Sequence, residues 1–404
     1  MVRKRKPAVD ASVGLTEQQV RARILLLGIS VLLLVLLLGA WLVVRARLPA
    51  ASSADHTPFF SQPAVVSLRI PGDSAEDLLE LARKTAESIV TQFPDSAAAY
   101  CVQANYHYML SDTAEAEANW RRAAELDPTL DEGLYGVALV AFEDGRFDDA
   151  IELCLQLRTL SPGNPKVPLL LADAYLNNGQ PEQAILVLQQ HIAQERASVQ
   201  ALELLGRAHL NADEPEKAAA VFRKALEFAP QSKEILYGLG QAYGRMGQAD
   251  KSREYMERFR TRSQQVAAEN AAAAQEFEDR AHAAHIAAQV LFDTAMVYKA
   301  QGDLDAAIRH AVQAHFLEPH VDAWLLELQR LLQRQGRLLD AADVGREWVQ
   351  RHPDDVDQWL VLGGLYAELD MADQAVEAFQ KAIALAPEDP RCKRAKSVLR
   401  SLQP

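Results

Sequence analysis

The residues best suited to metal chemistry lie in one alanine-rich stretch of the chain. His282 and His285 are three positions apart and Glu278 precedes His282 by four, so a helix would place all three on one face. Imidazole and carboxylate groups bind zinc. No HExxH pattern accompanies them, and a solvated polar helix face is the commoner reason for such a cluster. We therefore predict no metal site here.

A second candidate is the glycine-rich stretch GLGQAYG at residues 238–244. Glycine-rich loops bind phosphate when they join a strand to the start of a helix, and no strand pattern precedes this one. No Walker motif or GxSxG elbow occurs. Cys101, Cys154 and Cys392 are far apart and form no CxxC pair, so they are expected to be packing residues. The sequence predicts no enzyme, no cofactor and no small-molecule substrate.

The elements that hold these residues recur every 34 positions. The stretch WLVLGGLYAELDMADQAVEAFQKAIALAP, residues 359–387, shows the pattern most fully, and sliding it along the chain gives eight copies. The copies span 97–130, 131–164, 165–198, 199–232, 233–266, 288–321, 322–355 and 356–389. The eighth position is Ala or Gly in every copy except at Gln329, and the twentieth is always Ala or Ser. Such small residues allow two helices of one copy to approach closely, and stacked copies bury the faces that one pair leaves exposed.

This pattern resembles the tetratricopeptide repeat over residues 97–389. The residues that carry the resemblance in the last copy are Trp359, Leu362, Gly363, Tyr366, Ala375, Phe379, Ala382 and Pro387. The resemblance implies an all-α fold, a right-handed α-solenoid of stacked helix-turn-helix repeats. The third, fifth and seventh copies depart from the pattern, for example at Pro168, Gln329 and Gly345.

The copies fall into two groups. Five copies span 97–266 and three span 288–389, with a helical insertion predicted at 267–287. Neither Gly nor Pro occurs from Gln248 to Gln301, which favours lengthened flanking helices. Helices at 74–94 and 390–404 are predicted to cap the N-terminal and C-terminal ends of the array.

A hydrophobic run precedes the array. Residues 24–44 are uncharged and would extend about 31 Å as a helix, enough to cross a membrane. We predict a retained transmembrane signal-anchor, since the apolar core of a cleaved signal peptide is shorter. Residues 1–23 are then a short basic cytoplasmic segment. Residues 45–73 are a tether, in which VVSLRI at 65–70 could form a strand.

Charge and topology together set the expected location. Residues 1–47 hold eight Lys or Arg but only Asp10 and Glu17 as acids, so the remainder is more acidic than the net charge of −13. Such a body repels nucleic acid. Positive-inside topology places the array outside the cytoplasm, and the absence of eukaryotic sorting signals suggests the periplasmic side of a bacterial inner membrane. Reversed topology, with the array in the cytoplasm, is the alternative.

The resemblance implies that the first helix of each copy lines a concave groove. The corresponding groove residues are Asn105, Tyr108, Tyr135, Leu139, Phe142, Leu169, Asp173, Leu176, Arg207, Tyr237, Phe292 and Met296. These are mostly apolar or aromatic, so the groove is expected to take an amphipathic helix or an extended apolar segment by side-chain insertion rather than by charge pairing. The alternative is that individual residues pack between copies.

Two functions fit this organisation. The first is a membrane-anchored scaffold or assembly factor that binds client proteins or peptides in the groove. The second is a structural spacer subunit of a larger envelope secretion or export complex. No residue identifies the client or selects between these two functions.

Overall fold

The structure is a computed structural model that describes residues 57–69, 74–194, 198–272 and 276–402. Within these ranges every regular element is helical and none is a strand, so the prediction of an all-α stack of helix pairs is confirmed. The predicted basic segment and transmembrane helix, residues 1–44, lie outside the described residues. Among the helices that are described, none has the length and apolar character to span a bilayer.

The described ranges contain nineteen α-helices and a 3-10 turn at Phe59–Ser61. The α-helices are α1 (Pro63–Val66), α2 (Ala75–Gln92), α3 (Ala97–Met109), α4 (Thr113–Leu126), α5 (Asp131–Glu143), α6 (Phe147–Leu160), α7 (Lys166–Asn177), α8 (Pro181–Gln194), α9 (Val199–Asn211), α10 (Pro215–Phe228), α11 (Lys233–Arg245), α12 (Ala249–Ala272), α13 (Glu276–Gln301), α14 (Leu304–Leu317), α15 (Asp322–Arg334), α16 (Leu338–Arg351), α17 (Val356–Glu368), α18 (Ala372–Leu385) and α19 (Pro390–Leu402). Each 34-residue copy contains two of them, from α3 and α4 in copy 1 to α17 and α18 in copy 8. The chain forms two units, one of residues 58–358 and one that includes residues 359–402.

One backbone position produces the turn inside every copy. The fifteenth residue of each copy has a positive φ, and it is glycine in five copies. Ser111, Asp213 and Asp370 occupy this position in the other three. Glycine enters this region without steric cost, and small polar residues tolerate it better than branched ones. The turn ends the first helix and starts the second.

The small residues at the eighth and twentieth positions of a copy allow its two helices to pack closely. Ala104 and Ala116 in copy 1 are both fully buried. In copy 4 a Cβ added to Gly206 would lie 2.5 Å from the ring of Phe222, so that ring occupies the space of the absent side chain. The eighth and twentieth positions therefore act as packing positions, as the sequence predicts.

Helix α13, the first helix of copy 6, does not continue the stack of copies 1–5. It packs against its own partner α14 and also against α2 and α3, while no comparable contact joins it to α12 within the described residues. A buried apolar cluster joins these three helices. Its members are Leu78, Ala82, Ala86 and Ile89 of α2, Ala99, Val102 and Tyr106 of α3, and Ala283, Ala284, Ile286, Ala287, Val290 and Val297 of α13. Copies 1 and 6 therefore meet through their first helices, with α2 beside both.

Helix α2 lies in the predicted N-terminal cap at 74–94. Its apolar stripe packs against both α3 and α13. The predicted insertion at 267–287 is mostly helical: α12 extends to Ala272 and α13 starts at Glu276. Residues 283–287 of this insertion supply part of the buried cluster.

Residues 58–69 are packed rather than extended. Pro63 starts α1 at the first helical position, where a proline is tolerated. The predicted strand over 65–70 is therefore wrong, since Val65 and Val66 are helical. This part of the predicted tether lies on α16, through the turn at Phe59–Ser61.

The second unit contains most of copy 8 and the helix that follows it. Gly363 lies against the ring of Phe379, where a Cβ would come within 2.7 Å. Helix α19 packs on α18. Its Cys392 is fully buried, and the thiol donates a hydrogen bond to the carbonyl oxygen of Ala382 at 3.6 Å.

Candidate functional site

The predicted groove residues all lie on first helices of their copies. Asn105 and Tyr108 are on α3, Tyr135, Leu139 and Phe142 on α5, Leu169, Asp173 and Leu176 on α7, Arg207 on α9, Tyr237 on α11, and Phe292 and Met296 on α13. Leu176 is buried in a cluster with residues of the second helix and the next copy, so it packs within the stack. The other eleven are half-buried or exposed.

Copies 2 and 3 bring several of these residues around one cavity. Tyr135, Leu139 and Phe142 of α5 and Leu169 of α7 form its apolar walls, and the cavity has a volume of about 230 Å³. Each of these side chains also contacts a buried core cluster. The cavity is therefore a rigid depression with apolar walls, which is the geometry that accepts an inserted apolar side chain.

Charged groups surround this cavity. Lys166, Glu143 and Asp173 also line it. The Lys166 ammonium lies 5.8 Å from the centre of the Tyr135 ring, within reach of a cation–π contact, and Arg207 pairs with Asp173 at 3.4 Å. The expectation of an apolar surface with few charges thus describes the walls but not the rim.

Tyr108 connects copy 1 to copy 2 along the same surface. Its hydroxyl donates a short hydrogen bond to the Glu143 carboxylate, and its ring lies 5.4 Å from that of Trp120. Burial raises the pKa of the Tyr108 hydroxyl, and the bond to Glu143 raises it further. Tyr108 therefore remains a neutral donor at physiological pH and fixes Glu143 at the cavity rim.

A second, smaller cavity lies where copies 1 and 6 meet. It has a volume of about 170 Å³, and Asn105 and Met296 both line it although they are far apart in sequence. The Asn105 amide nitrogen donates to Asp293 at 3.1 Å and to Glu132 at 3.0 Å. Burial raises the pKa of Asp293 to about 6, because desolvation outweighs the hydrogen bond from Asn105. Asn105 is thus engaged in joining two helices.

The remaining groove residues are dispersed. Phe292 stacks on Trp324 of α15, with ring centroids 5.3 Å apart. Tyr237 is the most exposed of the set and lies 5.3 Å from the Phe259 ring of α12. Neither lines the cavity of copies 2 and 3.

Sequence reasoning identified Asp173 but missed three other charged residues at the cavities, Lys166, Glu143 and Asp293. Lys166 and Glu143 stand at the two ends of first helices, so a search confined to groove positions passes over them. Asp293 follows Phe292 directly, but only the contact between α3 and α13 gives it a role. The sequence signal for Asp293 was a carboxylate directly beside an apolar groove position.

The residues first considered for chemistry have ordinary surroundings. His285 pairs with Glu318 at 3.0 Å, His282 is exposed, and GLGQAYG lies inside α11. Among the described residues, no group of three or more His, Cys, Asp or Glu side chains could hold a metal ion. All three cysteines are buried free thiols, and burial raises the pKa of Cys154 to about 12.

The fold defines a protein of stacked helical repeats, with an apolar cavity between copies 2 and 3. Models of the tetratricopeptide repeat family match residues 101–165, 141–208, 199–242, 233–259, 292–356 and 358–389. These stretches together exceed half of the chain, and they are tetratricopeptide repeats. No curated protein matched the chain.

Solved structures with similar arrangements include MamA and YrrB. A crystal structure of MamA is 22% identical, with 40% of this chain and 94% of that chain covered and a TM-score of 0.37. YrrB, described as a TPR protein with an unusual peptide-binding site, is 19% identical, with 44% and 91% covered and a TM-score of 0.38. The MamA RS-1 ArsTM double mutant is 18% identical, with 48% and 98% covered and a TM-score of 0.38.

Proposed function

We propose that this protein is a membrane-anchored interaction scaffold that binds segments of client proteins along the first helices of its repeats. The observation that carries the proposal is the cavity between α5 and α7. Four side chains from two successive copies converge there, and each remains partly accessible. Aromatic residues in such depressions are typical anchors of protein interfaces.

The cavity chemistry defines the kind of client segment. An apolar side chain of the client would insert between Tyr135 and Leu169, in the apolar part of the cavity. The rim offers a cation at Lys166 and a carboxylate at Glu143, which suit the polar groups that flank an apolar residue on an amphipathic helix. We therefore expect apolar insertion to supply affinity and the rim charges to orient the client.

A double substitution tests this groove assignment. Tyr135→Ala with Phe142→Ala removes both aromatic walls, and we expect client recovery in pull-downs to fall at least tenfold. Leu186→Ala is the matched control, because Leu186 is 67% exposed on α8, a second helix. Circular dichroism must show that both variants keep their helices. Unchanged recovery with the folded double variant would refute the assignment.

The cellular setting of this proposal rests on the sequence. The apolar run at 24–44 would anchor the chain, and the basic residues before it would keep the short N-terminus in the cytoplasm. Clients would then be proteins at the periplasmic face of a bacterial inner membrane. Protease added to spheroplasts should cleave the repeats if this orientation is right.

A spacer subunit in an envelope secretion or export complex is the second candidate. The observation that favours it is the buried junction of α2, α3 and α13, which fixes copies 1 and 6 against each other. A stable complex of fixed stoichiometry after mild detergent extraction would support the spacer. Varied, transient crosslinked partners would support the scaffold.

A further inference from the structure

A second surface of the repeats already holds a peptide segment, which comes from the chain itself. Residues 58–69 lie against the second helices of copies 6 and 7, α14 and α16. Two side chains of this segment are almost completely buried: Phe59 is 1% exposed and Val65 is 5% exposed. A few deeply buried apolar side chains typically carry most of the binding energy where a segment docks on a surface.

The site around Phe59 is built from charged side chains of α16 and from Arg337, which directly precedes this helix. The Phe59 backbone N–H donates to the Asp343 carboxylate at 2.9 Å, and Asp343 is itself buried and paired with Arg346. The Arg337 guanidinium lies 5.4 Å from the centre of the Phe59 ring. A charge-assisted backbone hydrogen bond combined with a cation–π contact fixes both the register and the ring of this residue.

Further contacts extend the site on both sides. The Phe60 ring lies 4.6 Å from the ring of His315 on α14, and burial lowers the pKa of His315 to about 4, so this partner is a neutral imidazole. The Gln62 amide donates to Asp340 at 2.7 Å. Arg69 lies 4.9 Å from the centre of the Phe316 ring. The repeats thus contact the segment through several of its side chains.

The segment has little regular structure of its own and lies outside the repeat copies. Its only regular structure is the three-residue turn at 59–61 and the four-residue helix α1. The tetratricopeptide matches begin only at residue 101. A cavity of about 500 Å³ continues beside Phe59 and Phe60 along α16, which leaves the site open at one end.

We propose that α14 and α16 form a second peptide-binding site, separate from the groove, which residues 58–69 of the same chain occupy reversibly. The ligand chemistry is a pair of adjacent phenylalanines, followed by a hydrogen-bonding glutamine and a valine. Because the first helices line the groove and second helices form this site, both surfaces can be occupied together. The short covalent connection gives the segment a millimolar-range effective concentration, so it excludes a free copy of the same sequence.

A peptide titration on the full chain tests the proposal. Phe59→Ala with Phe60→Ala empties the site, and a fluorescein-labelled peptide of residues 58–69 is then titrated while its anisotropy is followed. We expect saturable binding to the double variant and at least tenfold weaker binding to the wild type. A peptide with both phenylalanines replaced by alanine should bind neither protein.

Two outcomes would overturn the proposal. Absence of binding to a folded double variant would mean that the segment is a fixed part of the fold. Equal binding to the wild type would mean that the site is not occupied by the chain itself. If the double variant loses helical circular dichroism, Phe60→Ala alone, which truncates only the half-buried ring, is titrated instead. That variant should bind the peptide at least threefold more tightly than the wild type, and equal affinity would again overturn the proposal.

Discussion

At the scale of single residues, the closest helix contacts occur where a side chain is missing. Gly136 on α5 lies under the indole of Trp120 on α4, and a Cβ added there would stand 2.0 Å from a ring atom. Gly364 on α17 is exposed, and nothing lies within 4 Å of the same position. A methyl group therefore has no room at Gly136 but has open space at Gly364.

Replacing these two glycines with alanine should shift stability in opposite directions. Gly136→Ala forces the Trp120 ring to move, and we expect a loss of about 1–3 kcal/mol. Gly364→Ala removes backbone freedom from an exposed helix interior, and we expect a gain of about 0.5–1 kcal/mol. Urea unfolding followed by circular dichroism measures both. A stable Gly136→Ala variant would contradict the tight contact between α4 and α5.

Asp293 is a second residue whose surroundings set a measurable property. Its carboxylate accepts hydrogen bonds from Asn105 and from Gln289, the latter at 2.8 Å, with Glu132 on the other side of Asn105. Burial and the nearby Glu132 charge raise its pKa to about 6, and Lys166 only partly offsets this. The folded protein therefore holds the Asp293 proton at pH values where the unfolded chain has lost it.

As the pH rises, the free energy of unfolding of the wild type should fall relative to that of the Asp293→Asn variant. The stabilising contribution of the protonated carboxyl is complete below about pH 4 and is lost as the pH rises through 6. Because Asp293 is half-buried, solvent screens part of this effect. We expect the difference in free energy of unfolding between the two proteins to change by about 1–2 kcal/mol between pH 4 and 7. Unfolding titrations of both proteins at several pH values measure it. A difference independent of pH would show that Asp293 titrates normally.

At the scale of elements, the helix pairs could be predicted from the sequence because the pattern is local. The spacing of small residues and of turn residues repeats every 34 positions, and each turn needs only its own residue at positive φ, such as Gly145 or Asp213. The cavity between α5 and α7 follows from the same register, since its wall residues are separated by one repeat. Local and nearest-neighbour contacts of this kind determine most of a stacked repeat protein.

The junction of α2 with α13 could not be predicted in the same way. It joins segments about 200 residues apart, and no periodicity relates them. The available signal was an unexplained apolar stripe in each segment: Leu78, Ala82 and Ile89 in the predicted cap, and residues 283–290 in the predicted insertion. A single sequence shows that such stripes need a partner but does not say which.

Ile286 tests the junction as an element. Ile286→Ala removes a fully buried side chain of α13, and we expect a loss of about 2–4 kcal/mol. Amide exchange in α2 should accelerate, because α2 packs on this part of α13. Ile235→Ala in α11 is the matched control, as it empties an equally buried site in copy 5. Equal acceleration of amide exchange in α2 in both variants would mean that the contact between α2 and α13 does not specifically stabilise α2.

At the scale of the whole molecule, charge and apolar surface are divided along the chain. The first 47 residues are basic and contain the long apolar run, whereas the repeats are acidic and present their apolar residues in small depressions. The segment at 58–69 connects these parts and is held on copies 6 and 7.

The proposed membrane anchor, the apolar run at residues 24–44, can be tested by two substitutions at its centre. Leu34→Arg with Leu37→Arg adds two charges, each of which costs about 2.5–3.5 kcal/mol at the centre of a bilayer. We expect the wild type to stay in the membrane pellet after an alkaline wash and the double variant to appear in the supernatant. Leu34→Val with Leu37→Val keeps the run apolar and should behave as the wild type. Release of the wild type by the same wash would contradict the anchor. The groove and the site on α14 and α16 are tested by separate experiments and would not be affected by this result.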